Sequence, residues 1–194
     1  MARKIVETFK VFKFDELPNA SKEKALEKHR DINVSDRDWW EFTYDDWITK
    51  LAGMGYDDAD IMFRGFWSQG DGASFTATVD IAKWLKYKKL GEKYFNVIAA
   101  YENGDISAKI IRISSMYVHE NTIDSEILGD TKDEMVNKQV NEIEKLLKED
   151  ARELSEQIYK NLEKDHEYLT SDEVIAETFR ANEHEFTKDG KIYS

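Results

Sequence analysis

The chain has 194 residues, 41% hydrophobic and 12% aromatic, which suits one globular domain over residues 1–194 and excludes a disordered chain. It has no cysteine, so disulfides and thiolate metal sites are excluded, and its single proline, Pro18, leaves no Pro-rich linker. A net charge of −12 disfavours direct binding to nucleic acid, which needs a basic face. The acidity suits solubility alone, or an acidic face that meets a basic partner such as the nucleic-acid channel of another protein.

Met1-Ala2-Arg3-Lys4-Ile5 lacks the apolar core of a signal peptide. No run approaches the roughly 18 apolar residues of a membrane span, so a soluble intracellular protein is expected. Lys4 to Phe14 alternates between apolar and polar residues and predicts a first strand with one irregular step. After a turn over residues 15–20, Ser21 reads as an N-cap with Glu23 in the first turn. That helix reaches about Asp31 and buries Ala25, Leu26 and the stem of His29. Ser35 or Asp36 caps a second helix, with Trp40, Tyr44, Trp47, Ile48 and Leu51 on one face, widened by Trp39 and Phe42. Gly53 and Gly55 stop it, and core packing against a sheet is the expected use of its aromatics. Asp57, Asp58 and Asp60 lack calcium-loop spacing and read as a solvated turn.

Ile61 to Phe75 reads as a strand, a Gly-rich loop and the start of a second strand, which Ser74 to Val79 continues. Short helices follow around Ile81–Lys88 and Tyr94–Tyr101, then a turn at Asn103-Gly104-Asp105. Residues 106–117 and 118–128 read as further strands of an antiparallel meander. From Thr131 to about Asp165 one helical stripe dominates: Val136, Val140, Ile143, Leu147, Ala151, Leu154, Ile158 and Leu162. At about 1.5 Å per residue it spans on the order of 50 Å. Packing on its own sheet is expected, with a projecting end or a homodimer interface as alternatives. Thr170-Ser171-Asp172-Glu173 caps a last helix, and Phe186 to Tyr193 is a hairpin with Asp189-Gly190 at its turn. The fold class is therefore α+β: an antiparallel sheet packed by helices, with a long C-terminal helix and a terminal hairpin.

The loop Gly65-Phe66-Trp67-Ser68-Gln69-Gly70-Asp71-Gly72 is one residue too long for a nucleophile elbow and has no lysine to make it a phosphate loop. Ser68 becomes a nucleophile only with a base such as His119, oriented by Glu120 or Asp71. The glycines permit positive φ and a sharp turn that exposes N–H groups. With Gln69 and Ser74, these can hold a small polar ligand beside Trp67; equally, Asp71 can satisfy the loop's own amides while Trp67 lids the core. His29 and His166 read as solvated on charged helices, His184 lies between Glu183 and Glu185, and no histidine has metal-ligand spacing.

The segments Phe14-Asp15-Glu16-Leu17, Trp39-Trp40, Phe66-Trp67-Ser68-Gln69-Gly70-Asp71-Gly72-Ala73, Tyr117-x-His119-Glu120 and Tyr168-Leu169-Thr170-Ser171-Asp172-Glu173 resemble a family of small phage and prophage proteins. Its members are often labelled uncharacterised, or antitoxin of a toxin–antitoxin stability system. The chain departs from it at Ser74, where the family often has cysteine, and over Lys83 to Ala108. The resemblance implies a non-catalytic phage accessory protein in the host cytoplasm that binds and neutralises a host defence component or toxin. The alternative is a binder that sequesters a nucleotide-like signal; a hydrolase is the third reading. No cofactor, metal, membrane or direct nucleic-acid partner is expected. The candidate ligand or partner residues are Trp67, Ser68, Gln69, Asp71, Ser74, Tyr117, His119 and Glu120.

Overall fold

A computed structural model describes residue 8, residues 10–36 and residues 38–193. The expected first strand lies largely outside the described residues; what is described of it is β1 (Phe12–Lys13). The chain divides into two compact units, a larger one over Trp40–Glu163 and a smaller one made of the residues before and after it. The class is α+β, with antiparallel sheets of four and three strands.

The larger unit holds helices α2 (Glu41–Met54), α3 (Ile81–Tyr87) and α4 (Phe95–Glu102), and a meander of β2 (Tyr56–Phe63), β3 (Ala73–Val79), β4 (Ile106–Arg112) and β5 (Ile123–Gly129) in that spatial order. Phe75, Ala77, Val79, Ile106, Ala108, Ile110, Ile123 and Ser125 are buried at alternate positions, so one face of the sheet is core. The intervening Thr78, Ser107, Lys109 and Glu126 lie on the other face, where Lys109 and Glu126 pair across the strands at 2.8 Å. Asp57, Asp58 and Asp60 lie in β2 and form no separate turn. Buried Tyr56 starts the strand directly after Gly55, whose φ of +100° closes α2, and the acids are absorbed by a register shift with Asp58 at φ +52°.

α2 also begins later than expected, with Trp40 as N-cap in place of Ser35 or Asp36. Its inner face is Thr43, Trp47 and Leu51, while Phe42 is exposed and does not widen the stripe. α5 (Glu134–Leu169) buries all eight residues of the expected stripe. It also carries buried Asp150, whose Oδ2 accepts the Tyr56 hydroxyl and the Trp84 indole N–H, each at 2.8 Å, while Oδ1 accepts Lys88. The carboxylate thus pins α5 to β2 and α3 through donors that burial would otherwise strand. Next to it in space, burial and the Asp150 charge push the Tyr56 hydroxyl far up.

The smaller unit joins both ends of the chain. β1 pairs with β6 (Glu185–Phe186), and β6 with β7 (Ile192–Tyr193). Phe14, Leu17 and Ala25 of the N-terminal part pack with Ile175, Ala176, Phe179 and Phe186 of the C-terminal part. α1 (Asn19–Lys28) starts at Pro18, so Ser21 is not its cap; the buried hydroxyl instead donates to the Lys188 carbonyl at 2.8 Å. Ser171 caps α6 (Asp172–Ala181) as its sequence indicates. His29 is not solvated: its ring stands edge-on to Phe179 and Phe186, and burial pushes its pKa down. No described helix is long and apolar enough to cross a membrane.

Candidate functional site

Two connections of the larger unit fold onto each other. The first, residues 64–72, joins β2 to β3 and closes tightly, because the Arg64 N–H donates to the Gly72 carbonyl at 3.0 Å and extends the strand pairing. Inside it the Asp71 N–H donates to the Ser68 carbonyl at 3.0 Å, and the Asp71 carboxylate accepts the Ser68 N–H at 2.9 Å. Asp71 therefore serves the loop's own amides. Gly65, Trp67, Gly70 and Gly72 all stand at positive φ (+64°, +66°, +87° and +153°). For tryptophan that conformation costs on the order of 1–2 kcal/mol, which the surrounding contacts hold in place.

The second connection, residues 113–122, reads from its sequence as the end of one strand (to Tyr117) and the start of the next (from Val118), but it is a loop ending in a 3-10 turn at Glu120–Thr122. Polar side chains bend it. Ser114 Oγ accepts the N–H groups of Met116 and Tyr117 at 3.3 and 3.1 Å. Thr122 Oγ1 donates to the His119 carbonyl at 2.7 Å, and the Ile113 N–H donates to the Thr122 carbonyl at 2.8 Å. His119 Nδ1 accepts the Asn121 N–H at 3.1 Å and lies 3.9 Å from Glu120 Oε2.

The loops are tied at four places. The Val118 N–H donates to the Gly70 carbonyl at 2.9 Å, and the Arg64 guanidinium donates to the Met116 carbonyl. The Tyr117 ring lies where a Gly70 side chain would begin, 1.9 Å from an ideal Cβ. A Cβ on Gly72 would meet the Val118 carbonyl at 2.5 Å and His119 Cβ at 2.7 Å. Both glycines are thus required by close approach as well as by φ.

Beneath the first loop, Phe66 packs on Phe63 at 4.8 Å and on Tyr159 of α5 at 5.5 Å. The Tyr159 hydroxyl is pushed up by burial and then by the charges of Glu163 and Asp71. Above it, Trp67 is 77% exposed and Met116 66%, with Ile113, Tyr117 and Met62 also open to solvent. Trp67 is therefore not a lid on the core.

The structure brings together Trp67, Ser68, Gln69 and Asp71 from one loop and Tyr117, His119 and Glu120 from the other. Ser74 is apart from them in character: it is fully buried in β3 with its hydroxyl unpartnered, and presents nothing at the surface. No hydrogen bond joins Ser68 to His119 among the described residues. Sequence reasoning missed Arg64, Met116, Val118 and Tyr159. Arg64 beside Gly65 was the available signal; Tyr159 lies some ninety residues along the chain from the loop it supports and carries none.

Residues 39–172 match the family described as "Domain of unknown function (DUF8835)". That segment is more than half of the chain and takes in the whole of the larger unit. The chain belongs to the DUF8835 family. No curated protein and no solved structure matches it. Both loops and Tyr159 lie within the DUF8835 segment, whereas β1, α1, β6 and β7 lie outside it.

Proposed function

We propose that this DUF8835 protein is a phage-encoded, non-catalytic accessory protein that acts in the host cytoplasm by binding and neutralising a host defence component or a toxin, and that Trp67 anchors the contact. The observation that carries the reading is the exposed Trp67 ring on a loop whose backbone a second loop locks. Large apolar side chains on an acidic, water-loving surface mark contact sites. Tryptophan is the commonest anchor of protein interfaces, and a pre-ordered anchor loses little entropy on binding. Asp71 and Ser74, which a polar ligand would need, are respectively spent on Ser68 and buried, so the protein partner is favoured over a sequestered nucleotide. The resemblance to phage and prophage proteins supplies the biological setting.

The test is Trp67→Ala in a neutralisation assay in the host, with folding checked by circular dichroism. Loss of protection by a folded variant is expected. Full protection by a folded Trp67→Ala protein refutes the assignment of the anchor.

A further inference from the structure

One face of α2 and one face of α5 border an open cleft of about 410 Å³ within the larger unit. Trp47, Lys50 and Met54 line it from α2, and Gln157, Lys160 and Asn161 from α5, each set at helical spacing. The size is that of small-molecule sites, and so is the make-up: an apolar wall with a few polar groups.

Its charge is out of keeping with the chain. The polar lining is two ammoniums and two carboxamides, with no carboxylate among the described residues that line it, on a chain whose net charge is −12. By contrast, Glu149, Asp150 and Glu153 wall the cleft beside Trp84, and Asp124 and Glu144 wall another. Both ammoniums are held in place: Lys50 donates to Asp46 at 2.5 Å, and Lys160 pairs with Glu156 at 2.6 Å, each one turn back along its own helix. An ammonium has three donors, and one acceptor does not exhaust them. Trp47 adds an independent sign. It is 5% exposed, and its indole N–H has no acceptor among the described residues, which is costly for a buried donor. The Lys50 ammonium stands over its ring, 5.0 Å from the centroid.

We propose that this cleft binds a small organic phosphomonoester, with its phosphate between Lys50 and Lys160 and its apolar body against Trp47 and Met54. Lysine in place of arginine selects the phosphate. An ammonium is a point charge that meets a tetrahedral dianion from any side, whereas the arginine fork matches a planar carboxylate. The chain shows that fork at Arg180, which holds Asp15 through Nε and Nη2 at 3.1 and 2.9 Å. Phosphate oxygens are also acceptors of the kind the Trp47 N–H lacks. The site does not depend on the protein-binding reading of Trp67, so either can fail alone.

Phenyl phosphate is the probe, titrated into the isotope-labelled full chain and followed in proton–nitrogen correlation spectra. Each tryptophan indole gives its own signal there, and Trp47→Phe identifies that of Trp47. The expected result is a saturable shift of the Trp47 signal with a Kd below about 1 mM, while the signal of Trp67 stays in place. In Lys50→Met/Lys160→Met, with folding checked by circular dichroism, the Kd should rise at least about tenfold. Phenol and inorganic phosphate should each bind at least about tenfold more weakly than phenyl phosphate, because each makes only half of the contacts.

No saturable shift at Trp47, a Kd that the double variant leaves unchanged, or phenol binding as tightly as phenyl phosphate overturns the proposal. Inorganic phosphate binding as tightly overturns the organic body of the ligand. None of these results touches Trp67 as an anchor.

Discussion

Gly72→Ala should break the tie between the two loops, and Gly53→Ala is its internal control. At Gly72 the new methyl would meet the Val118 carbonyl at 2.5 Å and the His119 Cα at 2.8 Å, both backbone atoms that cannot rotate away. Its φ of +153° lies where L side chains rarely go. The backbone strain costs about 1–3 kcal/mol and forced overpacking a similar amount, so a loss of about 2–6 kcal/mol is expected. That is a large share of the roughly 5–15 kcal/mol by which domains are stable. Gly53 is inside α2, and a methyl there meets nothing within 4 Å. Alanine should therefore gain about 0.5–1 kcal/mol from helix propensity. Urea unfolding of the two variants beside the parent, followed by far-ultraviolet circular dichroism, measures both. A Gly72→Ala protein with the parent's midpoint, or a Gly53→Ala protein well below it, would show that the loop contacts do not constrain the fold as described.

Trp67→Gly should separate stability from binding: relief of the +66° backbone offsets the lost contact with Phe66, leaving stability within about 1 kcal/mol of the parent. Protection in the host neutralisation assay should nonetheless be lost, because removing an interface anchor costs about 2 kcal/mol or more of binding, roughly thirtyfold. Asp150→Ala strands the Tyr56 hydroxyl, the Trp84 N–H and the Lys88 ammonium, and should cost about 3–5 kcal/mol in thermal or urea unfolding. The smaller unit should weaken in acid. Burial holds the His29 pKa below its ordinary 6.5, aided by the nearby His184 and Lys28 charges, so the unfolded chain takes up the proton first. Stability is flat above about pH 7 and falls as pH drops through 6.5, and His29→Leu should flatten that slope in urea midpoints measured from pH 5 to 8.

Where local pattern and tertiary packing agree, the sequence was readable. The α5 stripe repeats every three or four residues for eight positions, and all eight are buried. Asp189-Gly190 turns the last hairpin, with Gly190 at φ +78°. The misread elements have physical causes. Asp57, Asp58 and Asp60 disguise the first half of β2, because a register shift lets acids point outward within a strand. Residues 113–119 look like strand by composition, but Ser114 and Thr122 compete for the backbone and bend it. The Gly-rich loop was evident as a turn; what fills the space beside Gly70 and Gly72 was not, since Tyr117, Val118 and His119 approach from more than forty residues away.

The pairing of Phe12 with Phe186 also orders the chain's synthesis. At about 5–20 residues per second, the ribosome needs roughly 9–35 s between making those two residues. Through that interval β1 and α1 have no sheet and no Phe179 to bury against, while the whole of Trp40–Glu163 emerges behind them. The DUF8835 unit, with its Trp67 surface, can thus be complete on the ribosome before the smaller unit exists. The apolar residues Phe12, Phe14 and Leu17 wait as an unpartnered arm until Phe179 and Phe186 have been made, the natural point of entry for a chaperone or a protease.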